Sequence, residues 1–196
     1  MKKFRNFRET RIRSKQVYRG RLLDVREDRV RLPDGSEAQR EYVRHPGAAV
    51  IIPFLSDDVL LLERQFRYPH HRHFYELPAG KIDSGETPLR TARRELEEET
   101  GYRAKRWQHV ATIHPTIAYS NEHIEIFVAE KLTHVGAMPD EGEFLEVMEV
   151  PLTQALDWVR LSRITDVKTV IGLFWAERIR SGAWKPGASS SRRASR

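Results

Sequence analysis

Hydrophobic and polar residues alternate along the first part of the chain in a pattern typical of β-strands. The segment VYRGRLLDVREDRVRL (17–32) leads into a PDGS turn at 33–36, and EAQREYVRH (37–45) follows as a returning strand. A hairpin with a single apolar face is not stable alone in water. We therefore expect this hairpin to pack on the main domain or on a partner chain.

Continuous apolar runs in the middle of the chain predict buried strands. AAVIIPF (48–54) is apolar throughout, and VLLLERQFR (59–67) follows a Ser-Asp-Asp turn. The residues after this second strand, YPHHRHF (68–74), are expected to form a loop. Further strands are predicted at HVATI (109–113), HIEIFVAEKL (123–132) and FLEVMEV (144–150).

Three segments have helical patterns with recognisable ends. The first helix is predicted to begin after Thr87, its N-cap, and to end before Gly101. Two more are predicted at LTQALDWVRL (152–161) and at VKTVIGLFWAERIR (167–180), the second with Asp166 as its N-cap. Because strands dominate the middle and helices lie between and after them, the predicted fold class is α+β, or mixed α/β.

The length and composition are typical of one domain with a sizeable core. The chain has 196 residues, of which 39% are hydrophobic and 32% charged, and it has no cysteine. Disulfides and thiolate metal sites are thereby excluded. The basic first residues lack the apolar stretch of a secretory signal, and no apolar run reaches the ~18–20 residues of a membrane span. We therefore predict a cytoplasmic protein with no membrane partner.

The net charge of +6 is concentrated at the two ends of the chain. Residues 1–15 contribute +6 and residues 185–196 contribute +4, which leaves −4 for the body between them. A protein that reads nucleic acid has its basic patch on the folded surface, so no specific nucleic-acid partner is expected. The Ser- and Arg-rich tail at 183–196 is expected to be disordered.

Like charges crowd one side of the first predicted helix. Glu95, Glu98 and Glu99 fall within an arc of about 100° on a helix. Like charges at this spacing destabilise a helix by roughly 0.2–0.5 kcal/mol per pair. The acidic arc flanks the apolar stripe that contains Leu89 and Leu96, so it lies close to whatever the helix packs on. A bound divalent cation would offset the repulsion, and a solvated charged face is the alternative.

The helix is part of a longer segment, GKIDSGETPLRTARRELEEETGY (80–102). This segment resembles the signature of the Nudix hydrolase family, G-x5-E-x7-R-E-U-x-E-E-x-G-U, in which U is a bulky apolar residue. The specified positions are filled by Gly80, Glu86, Arg94, Glu95, Leu96, Glu98, Glu99, Gly101 and Tyr102. The resemblance implies a Nudix-like α/β/α sandwich with an N-terminal antiparallel β-subdomain.

By this resemblance the glutamates of the helix bind Mg²⁺, for which Mn²⁺ is a possible substitute. Mg²⁺ prefers carboxylate, carbonyl and water oxygens and commonly bridges to substrate phosphates. Glu95 and Glu99 would be the main ligands, and the carbonyl of Ala79 would complete a site. Glu99 also counts among the expected catalytic residues, whereas Glu98 either contributes a further ligand or is merely solvated. The other motif residues are expected to be structural: Gly80, Glu86, Arg94 and Gly101.

Outside this motif the chain is most similar to the ADP-ribose pyrophosphatase branch of the family. The similarity lies in VYRGRLLDVRED, VRHPGAAVIIP, ERQFRYP, YELPAGKIDSGE, PTIAYSNE and DEGEFLEVMEVPLTQALDW. It implies Mg²⁺-dependent hydrolysis of ADP-ribose to AMP and ribose 5-phosphate. Alternatives are another nucleoside diphosphate substrate, such as GDP-mannose or a diadenosine polyphosphate, and a non-catalytic nucleotide-sensing module. Ala118 stands where the family commonly has glycine, in a region that bears on substrate preference.

The same branch forms homodimers through its N-terminal β-subdomain, which agrees with the need of the predicted hairpin for a packing surface. Charge, composition and this resemblance together predict four parts of the chain. They are a basic arm at 1–15, a dimerising β-subdomain at 16–46, a Nudix domain at 47–182 and a tail at 183–196.

The resemblance also implies a general base and substrate-binding arginines. A carboxylate close to the metals can accept a proton from water, and the loop MPDEGEFLE offers Glu143, directly before a predicted strand, and Glu141. The alternative is that neither is the base and the acidic loop is only solvated. Arg67 is expected to contact the substrate diphosphate, since a guanidinium binds phosphate in a bidentate manner; a surface ion pair is the alternative. Arg44 is a second candidate. The histidines of HHRH (70–73) are expected to be surface or substrate-loop residues.

Overall fold

The computed structural model describes residues 6–136 and 144–184, and the chain divides into two compact units. The first unit contains the residues up to Pro46 together with Thr116–His123, and the second contains Gly47–Pro115 and the residues from Ile124 onward. Within the described ranges there are ten β-strands and three α-helices. Most of the predicted tail, from residue 185, lies outside the described residues.

The first unit contains an antiparallel sheet in the order β1-β2-β3. Its strands are β1 (Thr10–Arg19), β2 (Asp24–Arg31) and β3 (Glu37–Arg44). The prediction of one strand over 17–32 is wrong because the chain turns after β1, where the Gly20 amide donates to the Leu23 carbonyl at 2.8 Å. Residues 10–15, assigned above to a basic arm, belong to β1. Every residue of β1 is exposed, so no apolar pattern marked its beginning.

A four-stranded mixed sheet forms the centre of the second unit, in the order β7-β4-β9-β8. Its strands are β4 (Ala48–Pro53), β7 (Ala79–Lys81), β8 (Tyr102–Ile113) and β9 (Ile124–His134). β4 and β9 are parallel, and the other neighbours are antiparallel. A separate antiparallel sheet has the order β10-β5-β6. Its strands are β5 (Val59–Arg67), β6 (Arg72–Glu76) and β10 (Leu145–Pro151).

Helices cover both faces of the mixed sheet. They are α1 (Pro88–Thr100), α2 (Leu152–Arg160) and α3 (Val167–Arg180). One core joins β4 and β9 to α1 through residues that include Ile51, Phe127 and Leu96. The other core joins the opposite face to α2 and α3 through residues that include Ile52 and Leu173. Successive strand residues point to opposite faces, which is why the continuous run in β4 serves both cores. The predicted α+β class and α/β/α sandwich are confirmed.

The predicted loop at 68–74 contains regular structure. A 3₁₀ turn spans Tyr68–His70, His71 has a positive φ of 49°, and β6 begins at Arg72. β6 is an edge strand whose first residues are exposed, so its basic and aromatic side chains gave no strand pattern. In the parts of the chain that the structure describes, no helix is long and apolar enough to cross a membrane.

Candidate active site

Helix α1 begins and ends where its capping residues predict. The Thr87 hydroxyl accepts a hydrogen bond from the Arg90 amide at 3.3 Å. At the other end Gly101 adopts a φ of 75°, and its amide donates to the Glu97 carbonyl. The two caps fix the ends of α1.

The three glutamates predicted to bind metal differ in their surroundings. Glu95 and Glu98 are partly buried, whereas Glu99 is only 7% exposed. Glu95 lies against β7, because a Cβ added to Gly80 would be 1.8 Å from Glu95 Oε1. Gly80 therefore leaves the space that the Glu95 carboxyl occupies.

Arg94 joins the glutamates of the motif into one ion-pair network. Its guanidinium lies 3.1 Å from Glu86, 2.8 Å from Glu95 and 2.9 Å from Glu98. Partial burial lowers the pKa of Arg94, but hydrogen bonds to Glu86 and Glu98 outweigh it and raise the pKa above its ordinary value. The Thr91 hydroxyl also donates to Glu86 at 2.8 Å. This network offsets the like-charge repulsion that the sequence indicated.

Glu99 is the buried member of the three. Its Oε2 accepts a hydrogen bond from the Ala79 amide at 3.1 Å, so two of the predicted metal-binding residues are in contact. Glu99 also shares a hydrogen bond with the side chain of Glu63 on β5. The structure thus brings together a carboxyl of α1, the backbone of β7 and a carboxyl of β5.

Sequence reasoning missed two buried carboxyl groups, Glu63 and Glu76. They lie opposite each other on β5 and β6 and are 3% and 4% exposed. Glu76 accepts two hydrogen bonds from Arg67, at 2.7 and 2.8 Å, and one from Lys168 of α3. The available signal was the position of Glu63 directly after three leucines, where a buried strand continues.

These surroundings move the pKa values of the two groups in opposite directions. Burial raises the pKa of Glu63 to about 8, opposed by its hydrogen bond with Glu99 and helped by the negative charge of Glu76. Burial also acts to raise the pKa of Glu76, but hydrogen bonds and positive charge from Arg67 and Lys168 lower it to about 2. At neutral pH Glu76 is therefore ionised, whereas burial favours the protonated form of Glu63.

The two candidate substrate-binding arginines have different environments. Arg67 makes the bidentate ion pair with Glu76, and 43% of its side chain stays exposed. Because Arg67 is paired with Glu76 and its side chain is also partly exposed, the structure does not test its contact with a diphosphate, which stays a prediction. Arg44 is exposed at the end of β3, opposite Asp24 of β2, and its role also stays a prediction.

The remaining candidates lie at the surface or beyond the described residues. His70 and His73 are exposed, with ring centroids 5.2 Å from Phe74 and 5.4 Å from Phe66. Both candidates for the general base, Glu141 and Glu143, lie in 137–143, outside the described residues.

The oxygen atoms around Glu99 are of the type that a hard divalent cation prefers. One of them, Glu63 Oε1, is buried and has no hydrogen-bond partner among the described residues. However, Glu95 and Glu98 are paired with Arg94, and no three acidic or histidine side chains of the described ranges are arranged to hold an ion. The donor set therefore fits a divalent cation in chemistry, and the cation would compete with Arg94 for Glu95 and Glu98.

Comparison with family models matches most of the chain to two known domains. Residues 43–167 match the NUDIX domain, and residues 9–43 match the nucleoside diphosphate sugar hydrolase N-terminal domain. The first match includes the motif at 80–102, and the second covers the strands of the first unit. The resemblance seen in the sequence is confirmed.

Two curated relatives are each 37% identical to the chain. The ADP-ribose pyrophosphatase of Bacillus subtilis (strain 168) aligns over 86% of this chain and 92% of its own length. The methanol dehydrogenase activator of Bacillus methanolicus aligns over 85% and 91%. A solved structure described as an ADP compounds hydrolase has a TM-score of 0.80 and 26% identity, and the match covers 89% of this chain and 95% of that chain.

Proposed function

The chain belongs to the Nudix hydrolase family, and on that premise we propose that it hydrolyses ADP-ribose to AMP and ribose 5-phosphate with Mg²⁺ as its cofactor. Members of this family generally use a divalent metal ion. The observation that carries the proposal is the complete set of Glu95, Glu98 and Glu99 on α1, with Glu99 bonded to the backbone of β7. The similarity to a named ADP-ribose pyrophosphatase supports the choice of substrate.

Carboxylates on one rigid helix suit the binding of a diphosphate through metal ions. Bound Mg²⁺ neutralises phosphate oxygens and lowers the pKa of the attacking water. Glu95, Glu98 and Glu99 would hold the ions together with the carbonyl of Ala79, and Mn²⁺ is a possible substitute because it accepts the same oxygen ligands. Arg94 pairs with Glu95 and Glu98, so a bound ion would take over part of this pairing.

Hydrolysis adds the oxygen of a water molecule to one phosphorus atom and breaks the bond from that phosphorus to the bridging oxygen. A base must accept the proton of the water, and a carboxylate within reach can do so. We assign this role to Glu143 or, in its place, Glu141. Arg67 and Arg44 are the proposed phosphate-binding residues, because the planar guanidinium matches two phosphate oxygens at once.

The proposal includes a homodimer that forms through the N-terminal β-subdomain at 16–46. All of β1 is exposed, including the apolar side chains of Ile12, Val17 and Tyr18, which are 44%, 54% and 56% exposed. An exposed strand with apolar side chains favours pairing with another chain. The remaining parts are the Nudix domain at 47–182 and the tail at 183–196. Sedimentation at micromolar concentration should give a dimer, and a monomer would contradict this part of the proposal.

A substrate panel tests the choice of substrate. The purified protein is incubated with Mg²⁺ and with ADP-ribose, GDP-mannose or a diadenosine polyphosphate, and the products are separated by chromatography. ADP-ribose should have the highest kcat/KM and should yield AMP.

A different nucleoside diphosphate sugar is the second candidate substrate. The match of residues 9–43 to a domain of nucleoside diphosphate sugar hydrolases favours it, as does Ala118 in place of the usual glycine. A higher kcat/KM for such a sugar would replace ADP-ribose in the proposal. No product with any substrate would favour a non-catalytic nucleotide-binding module.

A further inference from the structure

Arg67 uses only one edge of its guanidinium group in the ion pair with Glu76. Its Nε donates to Glu76 Oε1 at 2.7 Å, and its Nη2 donates to Oε2 at 2.8 Å. A guanidinium has five N–H donors in a fixed plane, so two donors on Nη1 and one on Nη2 remain. Among the residues that the structure describes, these three donors have no hydrogen-bond partner, and 43% of the side chain is exposed. The free edge can therefore donate to the oxygens of a phosphate group.

Helix α3 holds the Glu76 carboxylate in place. Glu76 is buried, and its Oε2 accepts a hydrogen bond from Lys168, near the start of α3. Lys168 also donates to Asp166, the N-cap of this helix, at 3.0 Å. The next residue, Thr169, accepts a hydrogen bond from the amide of Leu77 at 2.9 Å, which ties α3 to the end of β6. The carboxylate is thus fixed by groups other than the arginine that it binds.

The ion pair lies close to the acidic arc of α1. Hydrogen bonds to Glu76 raise the pKa of Arg67 against the effect of burial, and the negative charge of Glu99 adds to this rise. Glu99 is therefore near enough to act on the guanidinium, and it belongs to the proposed metal site. A partly exposed arginine has many rotamers, and a bidentate partner fixed in the core restricts them before a substrate binds.

We propose that Glu76 is a positioning residue for substrate binding, which fixes the Arg67 guanidinium so that its free edge, formed by Nη1 and Nη2, contacts the diphosphate of the substrate. This inference rests on the proposed function, because it takes Arg67 as a phosphate-binding residue. Glu76 itself touches no substrate and acts through Arg67 alone. Its removal therefore affects binding only while Arg67 is present.

A double-mutant cycle in the full-length chain tests this dependence. The Kd for ADP-ribose is measured by isothermal titration calorimetry in EDTA, so that no metal is present and no substrate is hydrolysed. Arg67→Ala should weaken binding about 10–100-fold, as expected for the loss of charge-assisted hydrogen bonds. Glu76→Gln keeps the shape of the side chain but has only one acceptor oxygen, and it should weaken binding about tenfold. The double variant should bind like Arg67→Ala alone.

Glu146→Gln is the matched control for the cycle. It removes a carboxylate from an ion pair with Arg64 in the same sheet, and it should bind ADP-ribose like the wild type. Circular dichroism checks that each variant folds. Glu76→Asp keeps the charge and draws the carboxylate back by one methylene, and it replaces Glu76→Gln in the cycle if that variant does not fold.

Two results would overturn the positioning role. Wild-type affinity in Glu76→Gln would show that binding does not need a fixed Arg67. Additive losses in the double variant would show that Glu76 acts on the fold and not through Arg67. In both cases a weakened Arg67→Ala leaves the phosphate contact of the proposed function standing. If Arg67→Ala binds like the wild type, that contact is itself wrong, and the positioning role falls with it.

Discussion

Glu63 and Glu76 lie directly opposite each other on β5 and β6, and Arg67 and Lys168 both pair with Glu76. The two carboxyl groups are similarly buried, so the difference between them comes from the placement of the two cations. Glu76 stays ionised because its charge is compensated, while burial raises the pKa of Glu63 to about 8. Because both cations pair with Glu76, the free energy of unfolding should depend on pH in two separate ways, one for each carboxyl group.

The first prediction concerns Glu63 and stability above pH 5. The pKa of Glu63 is raised from its ordinary value of 4.5 to about 8 in the folded protein. Between these values the unfolded chain has lost the proton that the folded chain keeps, so the free energy of unfolding falls as pH rises. Glutamine cannot ionise, and Glu63→Gln should lack this fall, which is on the order of 3 kcal/mol between pH 5 and 8.

Urea unfolding of metal-free protein in EDTA, at pH 5 and pH 8, measures this difference. The charged groups that act on Glu63 are Glu99, Glu76, Lys168 and Arg67, and all remain in the variant. The difference between wild type and variant therefore isolates the ionisation of Glu63. Equal loss of stability in both proteins would contradict the raised pKa.

The second prediction concerns Glu76 and has the opposite sign. Because Arg67 and Lys168 lower the pKa of Glu76 from 4.5 to about 2, its stabilising effect is complete above pH 4.5 and is lost as pH falls toward 2. Glu76→Gln should lower the free energy of unfolding by about 2 kcal/mol at pH 7, less than for a fully buried pair because Arg67 is 43% exposed. Urea unfolding at pH 7 and pH 3 should show the difference shrinking at the lower pH.

An exposed ion pair in the same sheet provides the matched control. Arg64 and Glu146 lie 3.0 Å apart on β5 and β10, with side chains 40% and 61% exposed. Glu146→Gln should change the free energy of unfolding by less than about 0.5 kcal/mol. If the two variants lost equal stability at pH 7, burial would not be the cause of the effect at Glu76.

Local signals in the sequence predicted the elements that have them. Thr87 and Gly101 gave the ends of α1, and the apolar run at 59–62 indicated β5, because caps and buried runs act over a few residues. The exposed residues of β1 and of the start of β6 give no such signal, because exposed strand positions carry no apolar pattern.

The same limit applies to the candidate site. The acidic arc on α1 could be predicted, because helical periodicity places Glu95, Glu98 and Glu99 on one side. The bond between Glu63 and Glu99 could not, because it joins residues far apart in the chain on different elements. Only the folded structure shows that the glutamate after three leucines faces another carboxyl.

The third prediction concerns catalysis by the acidic arc. Glu99→Gln keeps the size of the side chain and its hydrogen bond to the Ala79 amide, but it removes a negative charge from the proposed metal ligand. Loss of a ligand that stabilises transition-state charge is worth about 3 kcal/mol, so kcat should fall by about 100-fold or more. Steady-state kinetics with ADP-ribose and Mg²⁺ measures this.

Glu97→Gln on the same helix is the matched control for that variant. Glu97 pairs with Arg103 at the surface and is outside the acidic arc. Its substitution removes the same charge from the same helix and should leave kcat unchanged. Similar turnover in Glu99→Gln and Glu97→Gln would refute the assignment of Glu99 as a ligand, provided that both variants have the circular dichroism of the wild type.

The fourth prediction concerns the close approach of β7 to α1. A Cβ on Gly80 would lie 1.8 Å from Glu95 Oε1 and 2.0 Å from its Cδ, so in Gly80→Ala the Glu95 carboxyl must turn away from the strand. The flexible side chain can do this at a cost of about 1 kcal/mol in folding free energy, but the displaced carboxyl no longer joins the proposed metal site. The Kd for Mn²⁺ should rise by about tenfold or more.

Lys81→Ala, at an exposed position on the same strand, should bind Mn²⁺ like the wild type. Unchanged Mn²⁺ affinity in folded Gly80→Ala would show that Glu95 does not need its place over Gly80.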